Sequence, residues 1–314
     1  MSDQPTRAGF AAVIGAPNAG KSTLVNRLVG SKVSIVTRKV QTTRFPVRGV
    51  AIEGQAQIVL VDTPGVFTPR RRLDRAMVRA AWAGAEDADA VVHLVDAEAE
   101  IASLAKDATP AQHRGVEDTR TITEQLKKAA RPSILALNKI DAVKRDQLLA
   151  IADALYKSGA YSEVFMVSAE NGSGVGDLKA RLGALMPEGH WLYPEDQTAD
   201  LPVRLLAAEI TREKVYLRVH EELPYAAAVE TTAFEERPDG SARIEQTIYV
   251  ERESQRPIVL GKGGQTLKWI GQKSREELTE ILGRTIHLFL HVKVVEDWQN
   301  KRDFYRDTGL DFDV

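Results

Sequence analysis

The chain has 314 residues, with 42 Lys and Arg against 44 Asp and Glu, and no cysteine. A chain this long predicts two domains of ordinary size. The missing cysteines exclude a disulfide scaffold, a cysteine nucleophile and a thiolate metal site, and they fit a reducing compartment. A formal net charge of −2 excludes a protein that is basic throughout, so any nucleic-acid site must be a local patch.

Residues 1–9 hold Asp3, Pro5 and Arg7, without an apolar run behind a basic start. No stretch approaches the roughly 18 apolar residues of a membrane span. A soluble cytoplasmic protein is expected. Short apolar strands are predicted at 11–14, 57–61, 90–95, 134–137 and 164–167. Helical patterns lie between and after them, at 21–29, 73–83, 117–130, 146–157 and 175–186. This alternation predicts an α/β domain over 1–188, with a mostly parallel sheet covered on both faces. The last four strands run into Asp62, Asp96, Asn138 and Ser168, at the carboxyl edge where such sheets bind ligands. Pro187, Pro194 and Pro202, with few periodic apolar positions across 186–202, mark a linker, placed at 189–201. Residues 202–314 then read helix, strand, strand, two helical pieces around a Gly-rich break, and a final alternating strand at 286–294. That α-β-β-α-α-β order predicts a smaller α+β domain. Residues 98–118 are read as an acidic surface insertion.

Residues 15–22 read GAPNAGKS and fill the phosphate-loop pattern between a strand and a helix. Glycines let backbone N–H groups turn toward phosphate oxygens, and the helix start adds its positive end. The candidate nucleotide contacts are Gly15, Ala16, Pro17, Asn18, Ala19, Gly20, Lys21, Ser22 and the adjoining Thr23. Lys21 suits the β- and γ-phosphates, and Ser22 suits Mg²⁺.

Asn138-Lys139-Ile140-Asp141 follows the fourth strand. A carboxylate at Asp141 accepts both N1–H and the 2-amino group of guanine, while adenine would leave it unpaired. Lys139 can lie along the base, and Asn138 can brace neighbouring loops. Ser168-Ala169-Glu170 can offer a backbone N–H to the guanine oxygen. In Asp62-Thr63-Pro64-Gly65, Asp62 fits the acid that holds Mg²⁺ and the Gly65 N–H fits the γ-phosphate. In Gln41-Thr42-Thr43-Arg44, Thr43 is favoured over Thr42 to complete the metal shell.

These segments, in this order and spacing, resemble the translation-factor-class GTPases. QTTR, together with the C-terminal stretch ERESQRPIVLGKGGQTLKWIG, resembles the bacterial Era family over essentially the whole chain. The resemblance implies a P-loop GTPase domain followed by a prokaryotic-type KH domain. It implies a GTP- and GDP-binding, Mg²⁺-dependent enzyme acting in small-subunit (30S) maturation, bound near the 3′ end of small-subunit ribosomal RNA. A monomer with peripheral contact at the inner membrane is also implied. Val66 stands where Ras-like enzymes carry a water-orienting glutamine, so slow turnover is expected. Related GTPases with an asparagine at the place of Asn18 use it to bind K⁺; the alternative is that Asn18 only shapes the loop.

Gly261-Lys262-Gly263-Gly264 between helices is the KH signature, where a Cβ would hold the RNA backbone away. Residues 252–275 carry a net +5, although 201–314 as a whole is −3. Arg252, Arg256, Lys262, Lys268 and Lys273 join the loop as candidate RNA contacts. Two rivals remain at this level. One is an ATP-using RNA enzyme, opposed by Asp141. The other is an RNA-binding platform with a vestigial nucleotide site, opposed by the complete phosphate loop.

Overall fold

A computed structural model describes residues 5–37, 39–105, 108–219 and 223–314. They form two compact units, Met1–Asp200 with Leu310–Val314, and Leu201–Gly309. Among the described residues no helix is long and apolar enough to cross a membrane.

The first unit contains β1 (Arg7–Ile14), α1 (Lys21–Val29), β2 (Val47–Glu53), β3 (Ala56–Asp62), α2 (Arg72–Glu86), β4 (Ala90–Asp96), α3 (Ala97–Ala102), α4 (Pro110–Ala129), β5 (Ser133–Asn138), α5 (Arg145–Tyr156), β6 (Tyr161–Met166), α6 (Val175–Leu185) and β7 (Ala199–Asp200). The sheet order is β6-β5-β4-β1-β3-β2-β7. Strands β6, β5, β4, β1 and β3 are parallel, and β2 runs antiparallel to both β3 and β7. Side-chain alternation explains the layers. Ala11 and Val13 of β1 enter one core with Leu24 and Leu28 of α1 and Leu178 of α6. Ala12 and Ile14 enter the opposite core with Ala81 of α2 and Ile122 of α4.

Four expectations change. Strand β2 is absent from the predicted strands, because Gly49 interrupts its apolar pattern; a Cβ there would stand 2.7 Å from Val29 and 3.0 Å from Val33, so the close approach of α1 requires glycine. The insertion at 98–118 is mostly α3 and the start of α4, capped by Thr109, whose hydroxyl accepts the Gln112 N–H at 3.3 Å; residues 106–107 of that stretch lie outside the described residues. The 189–201 linker is bound to the first unit. Gln57 accepts the Leu192 and Tyr193 N–H groups at 2.8 and 2.9 Å and donates to the Tyr193 carbonyl at 2.8 Å.

Residues Leu310–Val314, predicted in the second domain, pack with the first unit on α2. Arg72 donates to the Phe312 carbonyl at 2.9 Å and lies 4.4 Å from the Phe312 ring centroid. Arg79 pairs with Asp311 at 3.2 Å.

The second unit contains α7 (Val203–Arg218), β8 (Ala228–Glu236), β9 (Ala242–Val250), α8 (Arg256–Leu260), α9 (Gln265–Leu282), β10 (Ile286–Val294) and α10 (Asp303–Arg306). Its sheet order is β10-β9-β8, with β9 antiparallel to β8 and parallel to β10. Val215, Ile248, Val250, Val259 and Ile270 form its core, with Leu290, Val292 and Val294 from one face of β10 packed against it. Phe289 on the other face of β10 is exposed. Helix α7 buries Arg212 and Lys214, and both are paired with carboxylates, as buried charges must be.

Candidate functional site

Helix α1 starts at Lys21, directly after Gly20 in the left-handed region (φ 97°). A Cβ on Gly20 would collide with the Asn138 amide, so two sequence motifs meet at a point where only glycine fits. Lys21 is buried, and its Nζ donates to the Gly15 and Ala16 carbonyls at 3.1 and 2.9 Å. Burial pushes its pKa down to about 8, opposed by the Asp62 charge. Asn18 is exposed at φ 64° on the rim of the loop.

Three oxygen donors converge beside the loop. The Ser22 hydroxyl donates to Asp62 Oδ2 at 2.7 Å and lies 2.8 Å from the Thr43 hydroxyl. Thr43 in turn donates to Asp62 Oδ2 at 3.2 Å. Thr42 turns elsewhere, to Thr37 at 2.6 Å and the Lys39 carbonyl at 2.7 Å. Asp62 is fully buried; burial pushes its carboxyl up, opposed by Ser22, the Lys21 charge, Ser34 and Thr43. Two hydroxyls and a carboxylate form the hard oxygen set that suits Mg²⁺. Among the described residues no group of three or more His, Asp or Glu side chains is placed to hold a metal.

The turn after β3 lies against the phosphate loop. Thr63 is buried and donates to the Val13 carbonyl at 2.8 Å. The Val66 N–H donates to the Gly15 carbonyl at 3.1 Å, and a Cβ on Gly65 would stand 3.0 Å from Pro17.

Asn138 is buried and braces two loops. Its Nδ2 donates to the Ala19 carbonyl at 2.7 Å, and its Oδ1 accepts the Ala169 N–H at 2.9 Å. The Ser168 N–H goes to the Ser173 carbonyl at 2.9 Å, so both of these N–H groups already have protein acceptors. Lys139 stands at φ 64° with Nζ 2.5 Å from Asp96 and 3.8 Å from Glu98. Asp141 is exposed, so a carboxylate here can discriminate between bases only where a bound base covers it.

The second unit presents a different surface. Gly261 at φ 74° must be glycine, because a Cβ would strike Thr266. Gly263 and Gly264, at φ 59° and 77°, have nothing within 4 Å of a Cβ position, which leaves the loop backbone open to a ligand. Arg252, Arg256, Lys262, Lys268 and Lys273 are exposed around it, with Lys273 paired to Glu276 at 2.7 Å.

Residues 10–139 match the family model described as 50S ribosome-binding GTPase, and residues 222–299 match the KH domain model. The chain is 74% identical over 309 residues to GTPase Era of Caulobacter vibrioides (strain NA1000 / CB15N), covering 98% of each chain. The chain belongs to the Era family of GTPases. It is also 62% identical over 314 residues to GTPase Era of Maricaulis maris (strain MCS10), covering 100% of both. Two solved structures match at a TM-score of 0.86 and 37% identity, covering 97% of this chain and 99% of theirs. One is a single-residue variant of Aquifex aeolicus Era bound to GDP·AlF4⁻; the other is Era with MgGDPNP and nucleotides 1506–1542 of 16S ribosomal RNA. The first unit is thus a P-loop GTPase domain that binds GTP and GDP, and the second is a KH domain.

Around the Era motifs, sequence reading missed residues whose partners are remote along the chain. Asp74 of α2 accepts the Gln41 amide at 3.0 Å and the N–H groups of Arg70 and Arg71, both at 3.0 Å. Arg27 of α1 donates to the Ala169 carbonyl at 3.2 Å and steadies the loop beside Asn138. Asp74 stands three residues after Arg71, in capping-box spacing at the start of α2, but no spacing rule joins Gln41 to Asp74 or Arg27 to Ala169.

Proposed function

We propose that the protein is a small-subunit assembly GTPase in which the nucleotide held by the first unit controls RNA binding by the second. The observation that carries this is the convergence of Thr43, from the segment between α1 and β2, and Asp62, at the end of β3, on Ser22 of the phosphate loop. A ligand that engages all three holds the Thr43 segment against the sheet, and one that engages Ser22 alone does not.

The reading assigns each candidate residue a role. Lys21 leaves the Gly15 and Ala16 carbonyls to meet β- and γ-phosphate oxygens. Ser22, Thr43 and Asp62 would hold Mg²⁺, which when bound neutralises phosphate charge. The Gly65 N–H donates to the γ-phosphate. Asp141 accepts two donors of guanine while Asn138 fixes the loops on either side. Buried Val66 cannot orient water by hydrogen bonding, which supports slow intrinsic turnover. Exposed Asn18 is the candidate K⁺ ligand; faster turnover in KCl than in NaCl supports that role, and equal rates remove it.

The RNA is the 3′ end of small-subunit ribosomal RNA, bound to the open backbone at Gly263 and Gly264 with help from the surrounding cations. The related Era solved with MgGDPNP is in complex with nucleotides 1506–1542 of 16S ribosomal RNA, and the open glycine loop of this chain offers such a segment a place to lie. The protein acts as a cytoplasmic monomer on the 30S subunit, with peripheral inner-membrane contact that vesicle co-sedimentation tests. Asp141→Asn tests the base assignment. Preference is expected to move from guanine toward xanthine nucleotides by about tenfold or more. Unchanged guanine affinity overturns it.

A further inference from the structure

Thr43 must be held in place by something other than its own hydroxyl. It sits in an irregular stretch between α1 and β2, where no ladder fixes the backbone. Two residues earlier, Gln41 adopts φ 57°, in the left-handed region that L side chains rarely adopt. Such a conformation persists only where surrounding contacts impose it. One such contact is the bond from Gln41 Nε2 to Asp74 Oδ1 at 3.0 Å.

Asp74 is suited to this work. It is buried, and it lies in the first turn of α2, where a carboxylate is favoured by the helix dipole. Its two oxygens serve different loops. Oδ2 accepts the Arg70 and Arg71 N–H groups and so fixes the turn that leads from Gly65 into α2. Oδ1 accepts the amide of Gln41 and so fixes the loop that leads to Thr43. A single carboxylate therefore ties one loop to the other. A bond to an ionised, buried acceptor is among the stronger ones available to the fold.

We propose that Asp74 is a positioning residue for GTP. Through Gln41 it presets Thr43 at the Ser22–Asp62 point, so the chain discriminates GTP from GDP partly through a contact that touches neither nucleotide. This rests on the reading that Thr43 engages the metal and γ-phosphate side of the site. GDP does not draw on Thr43, so the tie should matter for GTP alone.

The test measures affinity for a non-hydrolysable GTP analogue and for GDP, with Mg²⁺, in the full chain and in Gln41→Ala, Asp74→Ala, Thr43→Ala and the Gln41→Ala/Asp74→Ala pair. Losing one charge-assisted bond is expected to weaken the GTP analogue about tenfold in Gln41→Ala and leave GDP within about twofold. The double variant should be no worse than Asp74→Ala, because both substitutions remove one contact. Gln41→Lys should restore the preference by pairing with Asp74. A melting scan with GDP shows whether Asp74→Ala still folds; if it does not, Gln41→Ala and Gln41→Lys carry the test. Equal loss of both nucleotides, or no loss in Gln41→Ala, overturns the proposal. If Thr43→Ala also leaves the preference unchanged, the reading of the metal site fails as well. If only Thr43→Ala changes it, the site reading stands and the role of Asp74 falls.

Discussion

The nucleotide end and the RNA end of the molecule are built on opposite plans. At the first, most of the candidate side chains are buried and polar: Lys21, Thr43, Asp62, Asn138 and Ser168 are each almost inaccessible and hydrogen-bonded, while Asp141 is exposed. At the second, the loop backbone is bare at Gly263 and Gly264, and the cations around it are exposed. A buried polar group must be matched in geometry and charge, so replacing one is expensive. An exposed cation contributes a modest, salt-screened share. The first site should therefore fail at single positions, and the second should weaken by degrees.

The largest expected effect is Lys21→Ala. It removes the one lysine of the phosphate loop and should reduce GTP turnover about 10²–10³-fold. Turnover within threefold of the parent would break the comparison on its buried side. Next is the paired change Lys262→Asp and Gly263→Asp, which places two carboxylates where the loop is open. RNA affinity should fall by about 10²-fold while GTP affinity is retained. Loss of both would mean unfolding. Smaller still is Lys268→Ala. It should weaken RNA binding only a few-fold and lower the salt slope by about 0.7, the value for one phosphate contact on a single strand. A tenfold loss from this one exposed cation would contradict a distributed surface.

A last effect, on stability and not on binding, concerns the core behind the phosphate loop. His93 on β4 is fully buried, with Nδ1 2.7 Å from the Tyr161 hydroxyl, which lies 2.8 Å from Thr123. Among the described residues its Nε2 has no hydrogen-bond partner. Burial, with the Lys21 charge second, pushes the imidazole down from 6.5 to about 3. Across that interval the unfolded chain binds a proton that the native chain does not, so stability falls as the pH is lowered from 6.5 toward 3. This residue contributes a slope of at most about 1.4 kcal/mol per pH unit. His93→Gln should flatten the acid limb in chemical denaturation, and an unchanged slope would assign it to other groups.

The same contrast explains what the sequence disclosed. GAPNAGKS, DTPG and NKID were legible because a buried site fixes residue type at short spacing, at the ends of strands with a strong apolar signal. The KH order was legible from the Pro238–Ser241 turn and the alternation at 286–294. Strand β2 was hidden by Gly49, whose role is to admit α1. The two-residue β7 and the short acidic α3 carry too little pattern to read. The docking of Leu310–Val314 on α2, the bonds of Gln57 to the 192–193 backbone and the Asp74–Gln41 tie depend on contacts between segments remote in sequence. Composition offered only half of the charge story. A net charge near zero conceals +5 within 252–275, and an acidic remainder discourages RNA binding elsewhere.

The central claim is that the buried site governs the exposed one. It is tested most directly by measuring the affinity of the full chain for a 3′-terminal small-subunit ribosomal RNA fragment at fixed salt, in a non-hydrolysable GTP analogue, in GDP and without nucleotide. The account predicts tightest binding with the GTP analogue, by at least about fivefold over GDP, the lower end of ordinary coupling between sites. Equal affinity in all three states would contradict it and leave an RNA-binding platform beside an uncoupled GTPase.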